Sequence, residues 1–273
     1  MPGTHIPSNG HAKYLSRCHR AMNSDVNLPA KAMLLAAGKG TRLRPLTNQV
    51  PKCMVPVGGK PILEWNIHWL RRYGITDLVM NLHYKPEAVI DYFGDGNEWG
   101  VNITYSYEQE LLGTAGGVKN VEFFFDDGPF LLWYGDNMST CELDKLFELH
   151  RRKEAFATMA LYYRSDPTSS GIVGLDDSEQ VTNFLEKPSW DQVFSNWVSA
   201  GIFIMERDVL DHIPATGASD FGHDILPALL EEGLPLFGYR MTPTEGLWWI
   251  DKPDDLQRVQ HEYSQNNEKG KAV

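Results

Sequence analysis

Short apolar runs, each ended by glycine or a polar turn, alternate with stretches of helical spacing along the first half of this chain. Met33-Leu34-Leu35-Ala36 follows Lys31 and stops at Gly38, the pattern of a strand buried on both faces. Leu63, Ile67 and Leu70 then fall at i, i+4 and i+7, predicting a helix that ends at Tyr73-Gly74. Leu78 to Leu82 reads as a second strand, and Val89 and Phe93 mark a helix closing near Gly94-Asp95-Gly96. Val101, Ile103, Tyr105 and Tyr107 alternate with polar residues, as in a half-exposed or edge strand, whereas Phe130 to Tyr134 is a buried one ending at Gly135-Asp136. Strands alternating with helices predict a doubly wound, mainly parallel α/β sheet of Rossmann-like kind.

The second half changes character. Phe156 to Tyr163, Ile172 to Leu175, Val181 to Leu185 and Val198 to Met205 read as strands joined by short turns, which predicts a mixed-strand extension of the sheet. Asp220 to Glu232 and Pro253 to Tyr263 read as helices. Residues 1–29 lack periodicity and are expected to form a flexible extension, residues 30–264 a single domain, and residues 265–273 a polar tail.

Charge changes the picture at one place. The chain has 25 Lys and Arg against 36 Asp and Glu, a formal net charge of −11, yet Lys39, Arg42, Arg44, Lys52 and Lys60 crowd between Leu34 and Leu63 with no acidic residue among them. That is a pocket for a polyphosphate rather than the extended basic face that nucleic acid requires. Gly38 and Gly40 let the backbone approach an anion closely, Arg42 can fork onto two phosphate oxygens, and Lys52 adds a point charge. The stretch is neither a dinucleotide fingerprint, since Leu43 stands where a third small residue is needed, nor a Walker loop, since Lys39 precedes Gly40 and Lys60 precedes Pro61. Cys18, Cys53 and Cys141 are odd in number and fit no metal-ligand spacing, so free thiols are expected. No apolar stretch nears the length of a membrane span and the amino terminus lacks a secretory core, so a cytoplasmic protein without membrane or nucleic-acid partners is expected.

Ala37-Gly38-Lys39-Gly40-Thr41-Arg42-Leu43, followed by Pro45-Leu46-Thr47, Pro51-Lys52, Met54-Val55-Pro56-Val57 and Gly59-Lys60-Pro61-Ile62-Leu63, resembles the signature of the sugar-1-phosphate nucleotidyltransferases. Further matches are Leu112-Gly113-Thr114-Ala115-Gly116, Tyr134-Gly135-Asp136, Glu186-Lys187-Pro188 and Ala200-Gly201-Ile202-Phe203, so that the resemblance spans residues 31 to 260. Within the family, Pro51-Lys52-Cys53-Met54 together with Leu112-Gly113-Thr114-Ala115-Gly116 is more similar to the mannose-1-phosphate and heptose-1-phosphate guanylyltransferases and the muramyl-phosphate uridylyltransferases than to the thymidylyltransferase branch, and the guanylyltransferase-like branch is the expected one. The resemblance implies that residues 30–140 bind a nucleoside triphosphate and residues 141–264 a sugar 1-phosphate, that Mg²⁺ is the cofactor, and that a homo-oligomer is compatible with the fold.

Joining the two anions needs positioning and charge neutralisation rather than a general base, because the attacking phosphate is already deprotonated. Asp136, directly after a buried strand and beside a glycine, suits a hard cation that keeps waters; its competing reading is a cap for a helix starting near Ser139. Where family members carry Trp-x-Asp-x-Gly-Thr-Pro, this chain reads Trp248-Trp249-Ile250-Asp251-Lys252-Pro253, and Asp251 is the candidate second metal carboxylate. Asp254 and Asp255 are expected to serve the following helix dipole. The resemblance assigns Arg42 and Lys52 to catalysis, Ala36, Ala37, Gly38, Gly40, Thr41, Gly113 and Thr114 to the nucleotide, and Gly135, Glu186, Lys187, Ala200 and Gly201 to the sugar phosphate. Glu108 is placed at the base, where a carboxylate could accept from two adjacent guanine N–H groups, favouring GTP; an exposed acid among Glu108-Gln109-Glu110 is the alternative. Trp248 and Trp249 are expected in the core. Uridylyl or cytidylyl transfer, and a non-catalytic nucleotide-sugar-binding regulator, are the competing functions; a regulator would be expected to lack Arg42, Lys52 or Asp136, and all three are present.

Overall fold

The computed structural model describes residues 28–268. The predicted extension up to residue 27 and residues 269–273 of the predicted tail lie outside them. Strand β1 (Lys31–Leu35) runs into the glycine loop, and a short hairpin, β2 (Pro56–Val57) and β3 (Lys60–Pro61), leads to helix α1 (Ile62–Arg72). Then come β4 (Asp77–Leu82), α2 (Glu87–Phe93), β5 (Asn102–Tyr107), α3 (Gly113–Lys119) and β6 (Phe130–Tyr134). Strands β6, β1, β4 and β5 lie side by side in that order, all parallel, and β5 is the edge that its alternating pattern predicts.

The period-2 rule decides how the sheet is covered. Ala32, Leu34, Leu78, Met80, Leu131 and Trp133 point to one face and pack with Leu63, Ile67 and Leu70 of α1. Met33, Val79, Phe130 and Leu132 point to the other and pack with Ala115 and Val118 of α3. Burial on both faces is why these strands read as continuous apolar runs.

After β6 the chain makes β7 (Asn137–Ser139), α4 (Leu143–Arg152), β8 (Ala157–Tyr163), β9 (Gly171–Leu175), β10 (Val181–Glu186) and β11 (Trp197–Met205), followed by α5 (Leu226–Glu231), β12 (Leu236–Arg240), β13 (Leu247–Trp249) and α6 (Pro253–Glu268). The expected polar tail is corrected here, since α6 continues through residues 265–268; no helix breaker occurs before Gly270. The long strand β11 joins the two halves. Ile202 to Met205 pair antiparallel with β6, while Val198 pairs with Ile172 of β9. The register of β11 against β8 shifts between Ser199 and Phe203, and Gly201 sits there with φ +71°, its hydrogen-bearing Cα pressed against Tyr134. A side chain at 201 would put its Cβ 3.0 Å from Tyr134. The sheet therefore parts between the end of β6 and the start of β9, at a change of strand direction where ligands of open α/β sheets bind. Among the described residues no helix is long and apolar enough to cross a membrane.

Candidate active site

Two adjoining cavities open at that parting. The smaller, about 220 Å³, is lined by the glycine loop (Ala36, Ala37, Gly38), Asn81 and Glu108 of the neighbouring strand ends, and Gly113. The larger, about 230 Å³, is lined by Arg42, Arg164, Ser170, Glu186, Lys187 and Gly201, with Trp249 and Asp251 on its far wall. Lys52, Thr114, Tyr134, Asp136 and Asp220 line both and form the partition.

The partition is organised around Lys52. It stands on the short turn Lys52–Met54, and its Nζ donates to Asp136 Oδ2 at 2.6 Å and to Asp251 Oδ1 at 2.6 Å. Arg42 Nη2 lies 3.2 Å from the same Asp251 oxygen. Burial pulls the Lys52 ammonium down, but Asp136 and Asp251 together outweigh it and hold its pKa above the usual lysine value. Burial pushes Asp251 up, and Lys52, Arg42 and Lys187 reverse that, leaving its carboxyl below the usual range. Gly40, at φ +59°, completes the turn: a Cβ there would come within 2.8 Å of Lys52 Cβ, so only glycine lets the loop close over the lysine stem. Two carboxylates converging on one ammonium from strand ends 115 positions apart form a hard, anionic oxygen pair, which fits a Mg²⁺ ion bound through one or two carboxylates plus phosphate oxygens and water.

Asp136 and Asp251 are brought together by a two-stranded ribbon that the hydrophobic pattern did not predict. Strand β7 begins one residue after Asp136 and β13 ends two residues before Asp251, and the two pair antiparallel, Asn137 opposite Trp249. The helix expected near Ser139 starts only at Leu143, and Ser139 and Thr140 are spent on the ribbon. Ser139 Oγ donates to Gly246 O at 2.8 Å and Gly246 N donates to Thr140 Oγ1 at 2.7 Å. Asp255 also does more than face a helix dipole, because its Oδ2 accepts from the N–H groups of Asp251 (3.1 Å) and Lys252 (3.0 Å) and so fixes the backbone that carries Asp251.

Glu108 lies in the smaller cavity's wall, but not as a free pair of acceptors. It is 2% exposed, Oε1 accepts from Asn81 Nδ2 at 2.7 Å, and Oε2 accepts from Leu112 N at 3.1 Å. Asn81 in turn accepts from Ala36 N at 2.8 Å, so a chain of hydrogen bonds ties the glycine loop to the Leu112 turn. An asparagine inside the apolar run Leu78 to Leu82 was the sequence signal for this network. Gly113, at φ +76°, is held against residue 219, whose carbonyl accepts from Ala115 N and Gly116 N. Thr114 Oγ1 donates to Asp220 Oδ2 at 2.8 Å.

On the other side, Glu186 reaches into a slot between Gly171 and Gly222, where a Cβ on either glycine would lie 2.7 Å from Glu186 Oε2. Lys187, at φ +47°, pairs with Glu186 at 3.2 Å. Ala200, expected at the sugar phosphate, is corrected: it is 1% exposed and packs in the core with Ile202 and Trp133, because its neighbour Gly201 presents the cavity-facing backbone instead. Gly135 supports the site from behind through its N–H to Leu35 O at 2.9 Å, and Gly40 and Thr41 support it from the loop; none of the three lines either cavity. Trp249, expected as core, is a half-buried wall of the larger cavity. Arg164, Asn81 and Asp220 are site residues that sequence reasoning did not select. Cys53 and Cys141 are buried free thiols, as expected; Cys18 lies outside the described residues.

Comparison with known proteins gives the family and the fold. The model of the Nucleotidyl transferase family matches residues 31–265. UTP–glucose-1-phosphate uridylyltransferase of Synechocystis sp. (strain PCC 6803) is 36% identical over 247 residues, covering 84% of this chain and 62% of the relative. Mannose-1-phosphate guanylyltransferase of Mycobacterium tuberculosis is 35% identical over 233 residues, covering 83% and 62%. The chain thus spans about three-fifths of the length of these relatives. Two solved structures share the fold: UDP-glucose pyrophosphorylase complexed with UDP-glucose (TM-score 0.76, 16% identity, 88% of this chain and 100% of that one) and HddC from Yersinia pseudotuberculosis (TM-score 0.71, 23% identity, 85% and 99%).

Proposed function

This chain belongs to the nucleotidyl transferase family, and from that premise we propose that it transfers the nucleoside monophosphate part of a nucleoside triphosphate onto a sugar 1-phosphate. An oxygen of the sugar phosphate forms the new bond to the α-phosphorus, and the bond from that phosphorus to the pyrophosphate leaving group breaks. The observation that carries this reading is Lys52 in the partition between two cavities, with Nζ 2.6 Å from both Asp136 and Asp251. A reaction between two anions needs a cation and a pair of metal-holding carboxylates at the boundary of their sites.

In this reading Ala36, Ala37, Gly38, Gly113 and Thr114 hold the nucleotide, with Gly40 and Thr41 shaping the loop behind them, and Glu186, Lys187 and Gly201 hold the sugar phosphate. Asp136 and Asp251 hold Mg²⁺, which supplies Lewis-acid polarisation of the phosphoryl oxygens when bound. Arg42 and Lys52 offset the charge of the triphosphate; the ammonium of Lys52, with three N–H donors, can turn one of them from a carboxylate to a phosphate oxygen without leaving the partition. The geometry favours an enzyme over a regulator because Arg42, Lys52 and Asp136 converge here together.

GTP and UTP are the two candidate nucleotides. The guanylyltransferase-like loop sequence and the Mycobacterium tuberculosis relative favour GTP, whereas the buried, fully engaged Glu108 withdraws one argument for guanine and the Synechocystis relative favours UTP. A pyrophosphate-release screen of the four ribonucleotides and dTTP against mannose 1-phosphate, glucose 1-phosphate and heptose 1-phosphate, with Mg²⁺, tests the proposal. Release with at least one pair is expected. Silence across the panel, from folded protein, overturns it.

A further inference from the structure

Four cationic side chains line the larger cavity, and three of them are already neutralised. Lys52 is shared by Asp136 and Asp251, Arg42 lies 3.2 Å from Asp251, and Lys187 lies 3.2 Å from Glu186. Among the described residues Arg164 has no carboxylate within ion-pair distance; Asp166, Asp251 and Asp255 act on it only at longer range. Its Nη1 donates to the hydroxyls of Ser169 (3.0 Å) and Ser170 (3.3 Å). A half-buried guanidinium without a counter-ion is costly unless something anionic completes it.

The side chain is also held in place. The Arg164 guanidinium carbon lies 3.8 Å from the centroid of the Trp249 ring, in the stacking geometry that suits guanidinium on indole. Its backbone is pinned on both sides: Arg164 N donates to Asn196 O at 2.9 Å, and Asn196 Nδ2 donates back to Arg164 O at 2.7 Å. Ser170 links it to the family lysine, because the same residue accepts from Arg164 through its hydroxyl and from Lys187 N through its carbonyl at 3.2 Å.

We propose that Arg164 is a substrate-binding residue that grips the phosphate of the incoming sugar 1-phosphate, with Trp249 fixing the plane of its guanidinium. The inference rests on the transferase reading above and adds a residue to it: Lys187, tied to Glu186, supplies a tethered charge, while Arg164 supplies a guanidinium whose charge no carboxylate has claimed. Guanidinium offers phosphate two parallel N–H donors, a geometry that lysine cannot reproduce.

The test compares Arg164→Gln and Arg164→Lys with wild type and with Lys187→Met, reading KM separately for the nucleotide and for mannose 1-phosphate or glucose 1-phosphate. Loss of charge-assisted hydrogen bonds is expected to raise the sugar-phosphate KM of Arg164→Gln by ~10- to 100-fold while the nucleotide KM stays within about twofold, and Arg164→Lys is expected to recover part of the loss. An unchanged sugar-phosphate KM in Arg164→Gln overturns the proposal. So does an equal rise in both KM values, which would mark general damage to the cleft. Calorimetric titration with inorganic phosphate, read beside the thermal midpoint of each variant, separates this claim from the transferase reading. If wild type releases no pyrophosphate from any substrate pair, that reading fails, yet phosphate binding by wild type and its loss in folded Arg164→Gln still supports an anion site at Arg164. Equal phosphate binding by the two proteins removes it.

Discussion

Replacing Asp251 with asparagine changes one charge and almost no volume, so its effect can be apportioned from the contacts. Asp251 Oδ1 receives Arg42, whose side chain is 59% exposed, and Lys52, whose side chain is 10% exposed. The exposed pair is worth about 0–1 kcal/mol. The buried charge-assisted bond is worth about 1.5–3 kcal/mol, and because Lys52 keeps Asp136 the larger penalty of an orphaned buried charge is not reached. A loss of about 2 kcal/mol in the metal-free protein, or a fall of ~4–8 °C in thermal midpoint for a domain of this size, is expected. Turnover should fall much further, by about 10²- to 10³-fold, as when one electrostatic stabiliser of a transition state is removed. Half-activation by Mg²⁺ should move to higher concentration, so that added Mg²⁺ recovers part of the rate. Pyrophosphate release across a Mg²⁺ series, with thermal melts in EDTA, measures both quantities, and Asp254→Asn is the comparison with wild-type behaviour expected. A lowered midpoint with an unaltered Mg²⁺ curve would refute the reasoning, leaving Asp251 as a structural partner of Lys52 and nothing more.

Two further outcomes follow from buried groups. Glu108→Gln keeps the shape but sets an amide donor against either Asn81 Nδ2 or Leu112 N, so chemical denaturation should show a loss of about 1–3 kcal/mol while the ratio of GTP to UTP use stays within about twofold. A large change in that ratio with stability intact would restore Glu108 to the base. Burial first, then the Asp136 charge, pushes the Cys53 thiol up to about 12. Its contribution to stability is therefore complete below the unfolded thiol's pKa of about 9 and is lost as pH climbs toward 12. Cys53 should accordingly stay silent to Ellman's reagent in native protein at pH 8 and react on unfolding, and rapid native labelling would contradict the burial.

Local pattern was enough wherever a feature depended on neighbours in sequence. Met33 to Ala36, Leu78 to Leu82 and Phe130 to Tyr134 announced the central strands because burial on both faces leaves few polar positions; Asp136 could be placed at the site because it follows such a strand, and Lys52 because it stands in the acid-free basic stretch. The β7–β13 ribbon was illegible: three residues carry no readable period, and its hydrogen bonds join positions about 107 apart. The resemblance places Glu108 at the base, with an exposed acid beside Glu110 as the alternative, and neither reading could foresee that Asn81, 27 positions away, engages one of its oxygens. Arg164 gave no signal at a strand's end between Tyr163 and Ser165, because its significance lies in the carboxylates that are not near it. Ala200 misled for a simpler reason, as a motif of consecutive residues in a strand sends alternate side chains to opposite faces.

The ribbon also dictates when, during synthesis on the ribosome, this site can first exist. Residues 31 to 205 contain every strand flanking the parting in the sheet, together with Lys52 and Asp136, but strand β7 has no partner until residues 247–249 have been made, and Asp251 follows them. Until then Lys52 has Asp136 as its single carboxylate partner, and neither Asp251 nor the Asp255 that fixes its backbone has been made. Competence is thus conferred late, by a short strand near the end of the fold, and a premature stop between 206 and 246 would leave a sheet with half of its charge pair.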